Sequence, residues 1–290
     1  MPSAMEELLA ILDLEELEHN LFRGRSPKDS LRRIYGGQVI AQALVAAQRT
    51  VPADRFVHSM HCYFILAGDA TIPVVYQVER LRDGGSFTTR RVTAIQRGAA
   101  IFSMETSFQV EEDGLSHQVP MPLDVPPPEG LRSQRELLAV ATHVPETIRA
   151  MWARERPLEI KPVMVEHYTS REKLAPVQYN WIRMTGTVPG DRRIQTAMLG
   201  YMSDMTLLDT STFAHGRTLF DADIQAASLD HAMWFHGPHP MNDWVLYAQD
   251  SPSSSGSRGF SRGLIYSRDG TLIASTAQEG LMRLRTKPEN

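Results

Sequence analysis

A carboxylate set against an apolar helix face is the first group in this sequence that could do chemistry. In RIQTAMLGYMSDMTLLDT, residues 193–210, Ile194, Ala197, Met198, Tyr201, Met205 and Leu208 recur at three- and four-residue spacing. That period predicts a helix about five turns long with these residues on one face. Asp204 projects from the edge of the same face, within about 60° of its centre at roughly 100° per residue. A charge there is costly unless a polar group meets it. Two readings follow: a reactive carboxylate in a shielded site, or an aspartate bonded to local backbone or exposed at a rim. The histidines of His58-Ser59-Met60-His61, with His231, His236 and His239, match no standard zinc spacing. A period-2 strand also puts His58 and His61 on opposite faces. His58 reads as a general base or as a strand histidine bonded locally. Cys62, in an apolar run, reads as a small hydrophobe. No G-x-S-x-G elbow and no nucleophile with a paired base is evident.

The elements that must carry these residues follow from patterning. Met5–Asn20 alternates Leu and Ile with Glu at helical spacing, an acidic amphipathic helix. Residues 34–47, IYGGQVIAQALVAA, read as a helix of small residues, apolar nearly all round, as befits a helix wrapped by a sheet. Its Gly36-Gly37 pair either admits a ligand to backbone N–H groups at the helix start or permits close packing or a sharp turn. Strands are expected at 56–66, 73–83, 86–96 and 100–110, an antiparallel meander. VPMPLDVPPPEG, residues 119–130, is a proline-rich linker stiffened toward polyproline II. Helix is expected over 131–152, and strands over 163–168 and 178–185.

The first pattern then recurs. The helix around Asp204 matches the helix at Gly37. The segments 226–235, 244–249, 255–266 and 271–283 match the four strands of the meander. On this alignment Asp204 falls near Tyr35, Ser228 near Ser59 and Gln278 near Thr106, so the second copy alone has Asp, Ser and Gln at these places. Leu272, Ala274, Thr276, Gln278 and Gly280 share one strand face. Gln278 is therefore expected to be a buried amide pointing toward Asp204, or else a cap on a loose strand end. Ser228 alone reads as a local backbone hydrogen-bonder. The expected organisation is a first half at 1–118, a linker and helix at 119–160 and a second half at 161–290, with the two sheets joined edge to edge. Joining removes two exposed edges.

Composition sets outer limits. The chain has 290 residues, 42% hydrophobic and 22% charged, with a net charge of −4 and one cysteine. These values fit a globular protein and argue against a nucleic-acid footprint or a basic membrane surface. One cysteine excludes an internal disulfide and suits a reducing cytosol. No apolar run approaches the roughly 20 residues that span a bilayer. The last residues, Lys287-Pro288-Glu289-Asn290, carry no S-K-L address. A cytoplasmic protein is expected.

Several motifs are longer than chance similarity allows: IYGGQVIAQAL, VHSMHCYFILAGD, YQVERLRDGGSFTTRRVTAIQRG, IFSMETSFQ, SLDHAMWFH and IASTAQEGLMR. Over about Leu14–Arg283 the chain resembles the bacterial acyl-CoA thioesterase II family and its peroxisomal relatives. The resemblance implies an α+β double hotdog, each half a long helix gripped by an antiparallel sheet. It implies hydrolysis of fatty acyl-CoA by a water held between Asp204, Ser228 and Gln278, with no cofactor and no metal. Bacterial members often have threonine where this chain has Ser228, which keeps the hydroxyl and loses a methyl. Asp204 would accept the water's proton as general base, while Ser228 and Gln278 would orient it and face the developing oxyanion. Coenzyme A carries phosphates, so Arg32, Arg33, Arg82, Arg90, Arg91, Arg258 and Arg262 are candidate contacts. Gly36, Gly37, His58, Arg90 and Arg258 are taken as substrate-binding candidates. A homodimer or homotetramer is implied by the resemblance. A hotdog hydratase or dehydratase would need a His/Asp or His/Glu pair, and a binding module could lack the water-holding set.

Overall fold

The computed structural model describes residues 2–27, 33–141, 144–238 and 240–285. The chain opens with α1 (Ala4–Leu12), started by a Ser3–Glu6 capping box. Next come β1 (Glu15–Glu18) and β2 (Leu21–Gly24). The acidic run expected to stay helical to Asn20 turns into an edge hairpin after Leu12, where Asp13 ends the helix. Then follow α2 (Gly36–Gln48), β3 (Arg55–Phe64), β4 (Val74–Asp83), β5 (Phe87–Gln96) and β6 (Ala99–Val110). Every residue of α2 after Gly36 is buried.

The connecting region holds a short 3₁₀ turn (Pro128–Gly130), α3 (Gln134–Val140) and α4 (Glu146–Trp152). β7 (Leu158–Pro162) belongs to the second half's sheet and straddles the boundary expected at 160/161. Residues 163–168 are not the expected strand: α5 (Glu166–Thr169) occupies them in part. The second half continues with β8 (Val177–Met184), α6 (Arg192–Ser203), a 3₁₀ segment (Leu208–His215), β9 (Ile224–Ser228), β10 (Asp230–Phe235), β11 (Val245–Ser255), β12 (Arg258–Ser267) and β13 (Leu272–Leu284).

The described strands form one antiparallel sheet, ordered β1-β2-β4-β5-β6-β3-β10-β13-β12-β11-β8-β7, with β9 paired to β13. The β3–β10 pair sits at the centre, Ala232 opposite His61, and joins the two meanders edge to edge. The order on either side of it is the same, so the chain is a doubled helix-plus-sheet unit. α2 and α6 lie antiparallel on the sheet: Tyr35 Oη donates to Tyr201 O (2.8 Å) at one end, and Gln48 Nε2 donates to Arg193 O (3.2 Å) at the other. Ile40, Ala43, Leu44 and Ala47 of α2 with Ala197, Met198 and Met202 of α6 make the centre of the core.

The expected five-turn helix stops after three turns, because Thr206 takes a positive φ of 63° that no helix admits. Asp204 is thus the residue closing α6, and its counterpart is Arg49, which closes α2, not Tyr35. The central strands are also offset from expectation. β3 bulges between Val57 and Ser59, and the second half breaks at Leu229 in the same place. Ser228, opposite Gly280, therefore matches Val57, opposite Phe108, and not Ser59.

The close approach of the helices depends on glycine. A Cβ on Gly37 would lie 2.3 Å from Tyr201 O and 2.5 Å from the Tyr35 ring. We expect Gly37→Ala to push α2 off α6 at an overpacking cost of about 1–3 kcal/mol. A chemical-denaturation midpoint equal to wild type would show that the helices do not meet here.

Candidate active site

Asp204 sits where α6 ends and α2 begins. Gly37 N donates to its Oδ2 at 3.0 Å, and Gln278 Nε2 donates to its Oδ1 at 2.8 Å. Tyr35, the residue before α2, makes no side-chain cap, so the carboxylate of the opposite half caps that helix instead. The positive end of the α2 dipole favours the ionised form. The glycine pair makes room for the carboxylate: a Cβ on Gly36 would lie 2.6 Å from Asp204 Oδ2 and 3.0 Å from the Phe64 ring. Of the two readings of this pair, the approach is made by Asp204, with Gly37 N–H already engaged.

Gln278 lies on the helix-facing side of β13 and is fully buried. Its Oε1 has no hydrogen-bond partner. Ser228 ends β9 opposite Gly280 and so shares the face of Gln278. Diagonal neighbours of this kind lie about 7–8 Å apart, within the span of one bridging water. Burial pushes the Asp204 carboxyl up to about 6, against the lowering effect of the Gln278 and Gly37 bonds. The group is therefore ionised at neutral pH yet able to take a proton.

The turn after Asp204 is held by groups that the sequence pattern did not single out. Gln249 Nε2 donates to Thr206 Oγ1 (2.9 Å) and Met205 O (3.3 Å). Gln178 Nε2 donates to Thr206 O (2.8 Å) and Thr210 Oγ1 (2.7 Å), and Asn180 Nδ2 donates to Gln178 Oε1 (3.1 Å). All three amides are buried. Tyr247 Oη donates to Ser203 O at 2.8 Å, just before Asp204. The available signal was the alternation in QYNWI, which puts Gln178 and Asn180 on one strand face. Arg156, half-buried, lies 4.0 Å over the Trp152 ring, with the Tyr35 and Tyr201 hydroxyls in its field. Asp209, five residues on, is pushed up to about 7 by burial and then by Asp204.

Other expected contacts lie elsewhere. His58 is six residues along β3 from Phe64, roughly 20 Å at strand rise. Its Nε2 meets Ser107 Oγ at 2.8 Å, and it lines a separate cleft of about 520 Å³ with Arg192, Gln195 and His236. Arg90 is fully buried, contrary to a phosphate contact: its guanidinium donates to Thr50 Oγ1, Thr50 O, Arg82 O, Thr89 O and Asp83. Its place on the inward face of β5 hides it. Arg258 is exposed and pairs with Glu279 (2.8 Å), next to the strand end that carries Ser228. Arg33 and Arg82 are exposed, and Arg91 and Arg262 pair with Glu105 and Asp250. Arg32 and His239 lie outside the described residues. His231 is buried against Ser203 Oγ at 2.9 Å, and burial pushes it down to about 3, so it stays neutral. His61 meets Trp234 edge to face, His236 bonds Ser275, and Cys62 is a buried free thiol.

The acyl-CoA thioesterase family matches residues 148–281, and the acyl-CoA thioesterase N-terminal domain family matches residues 25–109. Acyl-CoA thioesterase 2 of Haemophilus influenzae is 39% identical over 284 residues, covering 98% of this chain and 99% of that one. The chain belongs to the acyl-CoA thioesterase family. A second family member, mouse acyl-coenzyme A thioesterase 8, is 41% identical over 95% of this chain and 88% of its own length. The crystal structure of an acyl-CoA thioesterase II from Mycobacterium marinum superposes with a TM-score of 0.80 at 40% identity, covering 96% and 99% of the two chains. A hotdog protein from Alicyclobacillus acidocaldarius, at 18% identity and a TM-score of 0.77, shares the fold. The doubled helix-plus-sheet architecture is thus a double hotdog.

One consequence for stability follows from the raised Asp204 value. A carboxyl whose folded value exceeds its unfolded value opposes folding when ionised. That cost is absent below about pH 4 and complete well above about 6. We expect Asp204→Asn to raise the thermal midpoint at pH 8 and to match wild type at pH 4. A lower midpoint at pH 8 would mean that the Gln278 and Gly37 bonds outweigh the burial cost.

Proposed function

We propose that this chain hydrolyses fatty acyl-CoA thioesters to fatty acid and coenzyme A, with Asp204 as general base. The observation that carries the site assignment is the Asp204–Gln278 hydrogen bond at the helix-capped carboxylate. A water bound to the free edge of Asp204 loses its proton to the carboxylate as its oxygen attacks the thioester carbonyl. Gln278 and the Ser228 hydroxyl fix that water and face the charge that develops on the carbonyl oxygen. The tetrahedral adduct then expels the thiolate, which takes back the proton held by Asp204. No acyl-enzyme is required. A hydratase mechanism would ask for a histidine paired with the carboxylate, and the adjacent His231 is turned to Ser203 instead.

Release of free thiol from acyl-CoA is the direct assay. Asp204→Asn should lower kcat by about 10²–10⁴-fold, the usual worth of a general base. A folded variant with wild-type kcat would end the assignment. In the wild type, kcat/KM should rise through about pH 6 as Asp204 ionises, and fall on the acid side. A flat profile between pH 5 and 8 would contradict the base role.

A homo-oligomer, dimer or tetramer, is part of the same proposal. Tyr63, Ile65 and Leu66 are 65%, 50% and 56% exposed and lie with Trp234 at the middle of the molecule. Exposed apolar side chains at this seam support an interface. Sedimentation velocity should give a species larger than 32.6 kDa, and Tyr63→Asp should shift it toward the single chain. Cytoplasmic residence is supported by the lone free thiol. Among the described residues no helix is long and apolar enough to cross a membrane. A yeast relative, 27% identical, bears a peroxisomal name. Cell fractionation decides between the two compartments.

A further inference from the structure

Gln278 has a neighbour that the reading above leaves unused. The β12–β13 register sets Ser261 directly opposite Gln278, and both side chains are fully buried. Opposed residues in an antiparallel pair carry side chains on the same face, with Cβ atoms about 4.5–5.5 Å apart. The orientation of the Gln278 amide is dictated by Asp204: a carboxylate only accepts, so the NH₂ must face it. The carbonyl Oε1 then points away, without a partner, and the Ser261 Oγ is likewise without one. An unpaired buried acceptor and an unpaired buried donor, side by side, are each costly and are complementary.

The first half shows what else can stand in this place. By the same register Arg90, opposite Thr106, occupies the position of Ser261. There a guanidinium fills the space and bonds Thr50 and Asp83. Only the second half leaves a small hydroxyl beside a buried amide.

We propose that the Ser261 hydroxyl donates to Gln278 Oε1, directly or through one water, and so holds the carboxamide with its NH₂ toward Asp204. Ser261 is then a positioning residue. Its effect on catalysis rests on the thioesterase reading, but its effect on Asp204 does not. Without the hydroxyl the amide is free to turn over, which sets Oε1 against the carboxylate. That repulsion favours the protonated carboxyl and removes the base.

The test is a double-mutant cycle read two ways. The Asp204 carboxyl is titrated by ¹³C NMR, and kcat is measured by thiol release, in wild type, Ser261→Ala, Gln278→Ala and the double variant. Expected for Ser261→Ala are an Asp204 titration moved to higher pH, an acid limb of kcat moved the same way, a kcat loss of about 10-fold or more and an unchanged KM. In the Gln278→Ala background, adding Ser261→Ala should change neither readout, because the hydroxyl acts only through the amide. Ser261→Cys, similar in shape with a weaker donor, should lose less than Ser261→Ala; it also stands in if the alanine variant does not fold. An Asp204 titration unmoved by Ser261→Ala, or equal changes in both backgrounds, overturns the proposal. If wild type releases no thiol, the thioesterase reading fails while the titration still decides the role of Ser261.

Discussion

The structure turns on one interaction across the two halves: the Asp204 carboxylate closes α6 and caps α2. A carboxylate at this depth is stable only if its lone pairs are met. The α2 N-terminus offers a backbone N–H and a positive dipole end, and Gln278 adds an amide N–H. To bring them together the helices must run antiparallel and nearly touch. Hence a glycine stands at each contact: Gly37 against Tyr201 O, and Gly200, where a Cβ would lie 2.7 Å from Leu44 Cδ1. Packing of the core and electrostatics of the site are therefore one constraint, and neither half supplies the site alone.

The same constraint explains why a doubled fold has one such centre. At the far ends of the two helices the partners are different. α6 is capped by its own Asp191, whose side chain accepts from Arg193 N and Ile194 N. Arg193 reaches back to Gln48 O (2.9 Å), closing the end of α2 with a cation where the other end has an anion. Arg49, the counterpart of Asp204, turns outward to Asp13 and Leu14 O. Beneath, Arg90 fills the space that Ser261 leaves open. A buried cation satisfied by five acceptors is a structural solution; it offers nothing to hold a water for attack.

Most of the fold was legible because burial writes its period into the chain. The small-residue helix at Gly36–Gln48, the meander and its recurrence all follow from spacing of apolar positions. Asp204 stood out as a charge on an apolar face, and Gln278 as a polar residue on an inward strand face. What was not legible depended on backbone conformations that residue type does not announce. Threonine at a positive φ is rare, so nothing at Thr206 signalled the end of α6. Pairing partners are not written in residue type, so matching serine to serine sets Ser228 against Ser59, two positions along β3 from its counterpart Val57. Arg90 alternates like its exposed neighbours, and only its acceptors, scattered over Thr50 to Thr89, make burial tolerable.

The polar layer beneath the Asp204–Thr210 turn has its own logic. Gln178, Asn180 and Gln249 form a continuous set of buried amides, which hydrophobic residues could replace at similar volume. Amides cost more to bury, but they bond in fixed directions. Hydrophobic contacts would hold Thr206 in its left-handed conformation only through shape, and such packing yields to repacking. Hydrogen bonds to Thr206 O, Thr206 Oγ1 and Met205 O hold the backbone itself. The residue two positions earlier is Asp204, whose carboxylate must meet both Gly37 N and Gln278 Nε2. Where orientation matters to within a few tenths of an ångström, directional bonds in the supporting layer are the physical means of setting it.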